Sequence, residues 1–309
     1  MPDSIVRINL APNGLRQIAW LAAALLPLFQ TSAGTFRVGT YNVENYLDAP
    51  TQTRRIKSAE ARAKVVETIV MMKPDVLALQ EMGAASALEE LRGCLKTNGL
   101  DFPFSERVTG FDTNIHVALL SRFPFTALRP HTNDVFLLEG RRFRVSRGFA
   151  EADIQVGPNY SLTIITAHLK SRRPIPQTDE ADLRFEEAKI LRERIDALFA
   201  TNANINLVVL GDFNDSKDTR TIKEIIGRGR HKLVDTRPAE RNGDAPPRDI
   251  TWTQYYAVED SYARFDYILL SPGMTREWVR KETYIVTVPN WGAGSDHRSL
   301  VATFETEEK

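Results

Sequence analysis

The chain is predicted to fold as a four-layer α/β sandwich, two packed, mainly antiparallel or mixed β-sheets flanked by helices. Three features point there. Residues 76–79 and 207–210 are continuously apolar, as strands buried on both faces are. Residues 299–304 alternate, with Leu300, Ala302 and Phe304 on one face and Ser299, Val301 and Thr303 on the other. Stretches with helical spacing lie between the strand-like runs, so helices can cover the sheets.

At the N-terminus, Arg7 and Arg16 precede an apolar run at residues 18–29, and Thr31 and Ala33 are small. This is the pattern of a secretory leader cleaved after Ala33. The run is too short for a membrane span, which needs about 20 residues. Residues 1–33 are therefore read as a signal peptide and 34–309 as a single domain, exported to the periplasm or the medium. Basic and acidic residues both total 40, and removing the leader leaves 38 against 39. Such a balance provides no global attraction for a polyanion, so any recruitment of phosphate rests on local patches. Cys94 is the only cysteine, which excludes an intrachain disulfide and a thiolate metal cluster. With 42% hydrophobic residues, a chain of 309 is long enough to be held by its core alone.

Along the mature chain, strand-like runs fall near residues 36–42, 75–80, 115–121, 145–155, 160–168, 206–211, 264–270 and 299–305. Between the first two, Ala61, Val65, Ile69 and Met72 recur at helical spacing, and Pro74 follows. Residues 179–200 form the longest helical candidate, with Leu183, Ala188, Leu191 and Ile195 set among charges. Residues 237–248, rich in Pro, Gly and Arg, are expected to form a long surface loop. There is no repeat or linker.

The strand-like runs end on polar residues: Asn42, Glu81, His168 and Asp212-Phe213-Asn214, while Asp296-His297 precedes the last run. If these tips share one cleft, Glu81, Asp212, Asp266 and Asp296 would repel strongly without a cation. Oxygen donors such as Asn42, Glu81 and Asp296, with no thiolate cluster, favour a hard ion, Mg²⁺ or Mn²⁺, over zinc. His168 precedes Lys170, Arg172 and Arg173, which suits a phosphate pocket. His297 can be oriented by Asp266 accepting its other ring N–H, as proton transfer requires. His116, His131 and His231 are read as polar surface residues. A serine triad at Ser295, Asp296 and His297 is excluded, because neighbours in an extended segment diverge and no Gly-x-Ser-x-Gly elbow is present. No strand precedes Gly227 and no Gly-Lys-Ser/Thr run exists, which disfavours a dinucleotide or P-loop site.

Taken together, Thr40-Tyr41-Asn42-Val43, Gln80-Glu81, Ala167-His168-Leu169-Lys170-Ser171, Gly211-Asp212-Phe213-Asn214, Asp266-Tyr267-Ile268-Leu269 and Ser295-Asp296-His297 resemble, in order, the motifs of the endonuclease/exonuclease/phosphatase superfamily, which includes deoxyribonuclease-I-like enzymes. The resemblance spans residues 36–304. It implies a metal-dependent hydrolase of phosphate esters, with Glu81, Asn42 and Asp296 at the metal. It further implies that Asp212 positions or activates water, that Asn214 holds Asp212 and the phosphate, and that His297 with Asp266 transfers a proton. His168 would stabilise the scissile phosphate or its leaving oxygen. Arg147-Gly148 resembles the phosphate-facing arginine of some members; read as part of a strand, Arg147 shares a face with Val145 and lies opposite Arg144. Arg298-Ser299 stands where many members have proline nearby.

Substrate is less determined. Arg54, Arg55, Lys57, the arginines of residues 141–147, Lys170, Arg172 and Arg173 offer local charge for a nucleic-acid backbone. Aromatics at residues 252–256 and at Trp291 suit a phospholipid head-group or small phosphate ester reading as well. A non-catalytic binding module is disfavoured, because each proposed catalytic position holds a suitable residue. The expected partner is a phosphate ester, nucleic acid first, acted on by a monomer.

Overall fold

Alternation of side chains across the strands decides the layering. The computed structural model describes residues 34–240 and 250–306, so the leader and most of the loop expected at 237–248 lie outside the described residues. In chain order the strands are β1 (Thr35–Tyr46), β2 (Val76–Met82), β3 (Phe104–Val108), β4 (His116–Ser121), β5 (Phe125–His131), β6 (Val135–Leu138), β7 (Arg141–Arg144), β8 (Phe149–Gly157) and β9 (Tyr160–His168). They continue with β10 (Leu207–Asp212), β11 (Val234–Asp235), β12 (Ala239–Glu240), β13 (Gln254–Tyr256), β14 (Ser261–Ala263), β15 (Asp266–Leu270), β16 (Trp278–Ile285) and β17 (Leu300–Glu305). The helices are α1 (Ala59–Met72), α2 (Ala85–Thr97), α3 (Glu180–Thr201) and α4 (Arg220–Ile226).

Seven strands form one sheet in the order β12-β16-β17-β1-β2-β4-β3, and six form the other, β11-β15-β10-β9-β8-β5. Both are mixed: β1 with β2 and β9 with β10 are parallel, and most other pairs are antiparallel. Val76 and Ala78 of β2 face Val208 and Leu210 of β10 across the central core, together with Leu300, Ala302 and Phe304. The alternate residues Leu77, Leu79 and Val301 pack outward beneath α1 and α2. Leu207 and Val209 do the same beneath α3 and α4, meeting Leu183, Leu191, Ile195 and Ile222. Each run that is apolar on both faces therefore serves two cores, which is the reason for its composition.

Helix ends follow local chemistry. Ser58 caps α1 by accepting from Ala61 N, and Lys73 closes it in a left-handed conformation. Asp179 caps α3 through Ala181 N and Asp182 N. Three readings need correction. Residues 145–148 are not strand: β7 pairs with β6 in a separate hairpin, and the chain then turns at Gly148, φ 68°, before β8. His116 is 5% exposed, because β4 is an interior strand of its sheet. His131 Nε2 lies 2.8 Å from Glu151, and His231 stacks on Phe199 at 4.6 Å, so neither is a free surface histidine.

Candidate active site

Strand register, more than loop sequence, assembles the candidate site. Parallel pairing sets Asp212 beside His168, and antiparallel pairing sets Asp212 beside Asp266, so the ends of β9, β10 and β15 present three polar residues in a row. Gly211 makes that row possible. A Cβ there would fall 2.1 Å from Ala167 O, and its φ is +133°, so only glycine lets β10 and β9 close this tightly. The facing sheet supplies Asn42 from β1 and Glu81 from β2. Beneath the site a buried bridge links the sheets: Gln80 Nε2 donates to Thr40 Oγ1 at 3.1 Å and to Thr166 Oγ1 at 3.2 Å. Two site residues, Glu81 at φ 63° and Asn214 at φ 52°, adopt the left-handed backbone that non-glycine residues avoid.

Asp212, 1% exposed, is the hub. Its Oδ2 accepts from Asn42 Nδ2 at 2.9 Å, and its Oδ1 accepts from Asn214 N at 2.8 Å. His168 Nε2 and His297 Nε2 lie 3.4 and 3.7 Å from Oδ2. Burial pushes the Asp212 carboxyl up to about 7, with Asp266 adding to the effect and His297 and Asn42 opposing it. Burial, then the nearby Arg147, holds His168 well below the usual imidazole value, so it is neutral and its contact with Asp212 is not an ion pair. Burial works the same way on His297, but Asp266, Asp212 and Asp296 outweigh it and hold this imidazole well above its usual value. His297 Nδ1 meets Asp266 Oδ2 at 2.8 Å, and the Asp266 backbone is fixed by Thr253 Oγ1, which accepts its N–H at 3.1 Å. Ser295 donates to Asn42 O at 2.7 Å and accepts from His297 N at 3.0 Å, which fixes the segment before β17 against β1 of the same sheet.

Asn42 Nδ2 also reaches Glu81 Oε1 at 3.4 Å, and Glu81 Oε2 accepts from Asn45 N at 3.0 Å. Asp296 Oδ2 accepts from Gln254 Nε2 at 3.2 Å. Glu44 shares this neighbourhood: burial raises its carboxyl, and Asp296 and Glu81 add repulsion that Lys57 opposes. Crowded carboxylates of this kind suit a hard divalent cation, while Asn42 faces Glu81 and Asp212 with its Nδ2 and its Oδ1 accepts from Glu44 N at 2.9 Å. The ligand atoms of Asp212, Asp266 and His297 also lie within 4.8 Å of one another. Within this group His297 Nδ1 is engaged with Asp266 Oδ2 and Asp212 Oδ2 with Asn42, whereas Asp266 Oδ1 has no hydrogen-bond partner among the described residues; a carboxylate–imidazole–carboxylate row of this kind is suited to proton transfer.

Arg147 is buried and donates from NH1 to Leu169 O at 2.9 Å, the carbonyl that also accepts from Asn214 Nδ2 at 3.0 Å. Glu187 of α3 braces both segments, accepting from Ser146 N at 2.8 Å and from Lys170 N at 2.6 Å. The Lys170 ammonium donates to Ser171 O and Arg173 O at 3.0 and 2.9 Å, so it braces its own loop while its charge acts on His168. Sequence reasoning missed Gln80, Glu187 and Ser295 as supports. The signal for Gln80 was a polar residue inside an otherwise apolar run.

A four-layer sandwich with acidic and imidazole groups at the strand ends of two facing sheets defines the class of phosphoesterase hydrolases. The chain belongs to the Endonuclease/Exonuclease/phosphatase family, whose model matches residues 39–297. Among solved structures, the human Nocturnin catalytic domain with bound sulfate aligns at TM-score 0.61 and 16% identity, over 88% of this chain and 95% of that one. TDP2 of D. rerio complexed with single strand DNA product aligns at 0.59 and 16%, over 88% and 99%. ANGEL2, a 2′,3′-cyclic phosphatase, aligns at 0.59 and 15%, over 88% and 95%. At such identities these likenesses show the fold. No curated protein matches the sequence.

Proposed function

We propose that the protein is a divalent-metal-dependent phosphodiesterase that hydrolyses nucleic acid, exported after removal of residues 1–33. The observation that carries this is the relay Asp266–His297–Asp212, at 2.8 and 3.7 Å, lying beside the oxygen donors Asn42, Glu81 and Asp296. Asp212, with a carboxyl near neutrality, accepts the proton of the attacking water. Asn42 and the Asn214 backbone hold that carboxylate in place. His297, kept charged by Asp266, stabilises negative charge on the phosphoryl group and can give its Nε2 proton to the leaving oxygen, after which the proton taken up by Asp212 can restore it. Neutral His168 offers a ring N–H to the same phosphate or its leaving oxygen. Glu81, Asn42 and Asp296 would hold the cation, Mg²⁺ or Mn²⁺, which would supply charge stabilisation and a more acidic water. Nocturnin's bound sulfate and TDP2's DNA product belong to those proteins, and they make a phosphate of nucleic acid the first substrate to test.

The test is hydrolysis of plasmid and single-stranded DNA with Mg²⁺, abolished by EDTA and by Asp212→Ala. A second reading has one observation in its favour: the β13–β14 hairpin beside Asp296 exposes Val258 at 81% and Tyr262 at 56%, a surface suited to an apolar interface. The same assay therefore includes a choline phospholipid and a phosphomonoester, and much faster turnover of either replaces nucleic acid as the substrate.

A further inference from the structure

At the mouth of the site two guanidinium groups flank one carboxylate oxygen. Arg54 NH2 and Arg147 Nε lie 3.7 and 3.8 Å from Asp112 Oδ2. Both distances exceed hydrogen-bond range, so the carboxylate attracts each guanidinium, and offsets their mutual repulsion, without satisfying these two donors. The Arg147 side chain is only 7% exposed, and its Nε is a buried donor with no hydrogen-bond partner among the described residues. Such a donor is unfavourable unless something else fills the place. NH1 of Arg147 is anchored on Leu169 O, so Nε is aimed and does not swing away. Arg54 is steered from its other end by Asn45 and by Glu81, 3.7 Å away.

Asp112 is presented by a loop built to reach this point. Its Oδ1 accepts from Asn114 N at 2.9 Å, and its own N–H donates to Ser146 O at 2.7 Å, beside Arg147. A Cβ at Gly110 would fall 2.3 Å from Arg147 C, so the loop packs against the Arg147 segment only because glycine stands there. In the sequence Arg54 is one of several local cations and Asp112 carries no assignment.

We infer that Arg54 and Arg147 form a two-arginine pocket for a substrate phosphate group, which Asp112 occupies in the resting protein and the phosphate displaces. The inference rests on the phosphoesterase reading of the same site. A phosphate presents several oxygens to two planar guanidinium forks, whereas Asp112 presents one oxygen beyond hydrogen-bond distance, so the exchange favours phosphate. Asp112 is then a specificity residue: it lowers the affinity of any anion that cannot engage both arginines.

The test is Asp112→Asn in the whole chain, which keeps the side chain's shape and the acceptor for Asn114 N while removing the competing charge. Inorganic phosphate binding is measured by calorimetry, and KM and kcat are measured on the best phosphate ester. For a partly exposed pair of this kind, removal of the competitor tightens phosphate binding roughly fivefold, and KM falls more than kcat changes. Arg54→Gln weakens phosphate binding, and the double variant loses the gain. Phosphate binding that is unchanged or weaker in a folded Asp112→Asn protein overturns the inference, as does a gain that survives Arg54→Gln. Tighter phosphate binding with no hydrolysis of any phosphate ester leaves the pocket standing and sinks the phosphoesterase reading instead.

Discussion

His116 makes the fold acid-sensitive in a defined window. It sits on an interior strand opposite Met82 and is 5% exposed, and its Nδ1 has no hydrogen-bond partner among the described residues. Burial, reinforced by the Arg107 charge and opposed by Asp112, pushes its pKa down to about 4. The unfolded chain restores it to about 6.5. Between these values the unfolded state binds more protons than the folded one, so His116 contributes stability that is full above pH 6.5 and is lost as pH falls toward 4. A shift of about 2.5 units at 1.36 kcal/mol each gives about 3 kcal/mol. Screening of the Arg107 charge by solvent reduces this to about 2 kcal/mol. The perturbation is His116→Gln, which keeps a polar side chain without the titration. Urea unfolding of both proteins at pH 7.5, 6.0, 5.0 and 4.5 gives the double difference, which removes the acid sensitivity due to carboxylates. It should change by about 2 kcal/mol in favour of the variant as pH falls. Curves that run parallel through the whole window would refute the reasoning.

Three further outcomes are expected. Gly211→Ala forces a Cβ to within 2.1 Å of Ala167 O at a φ of +133°, and should destabilise the fold by about 3 kcal/mol or more while displacing Asp212; a thermal melt matching the parent would show that β9 and β10 can part cheaply. Asp266→Asn removes a charged acceptor 2.8 Å from His297 and should lower kcat roughly 10- to 100-fold with little change in KM, whereas an unchanged kcat would remove Asp266 from the relay. Glu81→Gln should raise the Mg²⁺ concentration for half-maximal activity at least about tenfold, and an unaltered metal titration would exclude Glu81 as a ligand.

The layers were legible in the sequence because runs such as residues 76–79 and 207–210 must fill a core on each face, and no single-faced strand has that composition. The pairing of His297 with Asp266 was legible as well, since each flanks a strand and each needs the other type of partner. Edge elements were not. The β6–β7 and β13–β14 hairpins have one wet face, and their residues answer to neighbours far along the chain. Helix α2 was overlooked despite Leu88, Leu91 and Leu95 at helical spacing, because Ala84 gives no side-chain cap to mark its start. The positions of Arg147 and Asp112 depend on how closely Gly110 lets two distant segments approach, and no local pattern encodes a contact between segments.

The site's division between the two sheets has a consequence for folding. Asn42 and Glu81 ride on one sheet, and His168, Asp212 and Asp266 on the other, so neither half on its own contains the relay together with the oxygen donors. Secondary structure can return early in refolding with no chemistry attached. The Gln80 bridge to Thr40 and Thr166 forms only when the sheets meet in register. Recovery of activity after dilution from denaturant is therefore a clock for that final meeting, and it should lag the recovery of helical and strand signal by the time the two halves take to find each other.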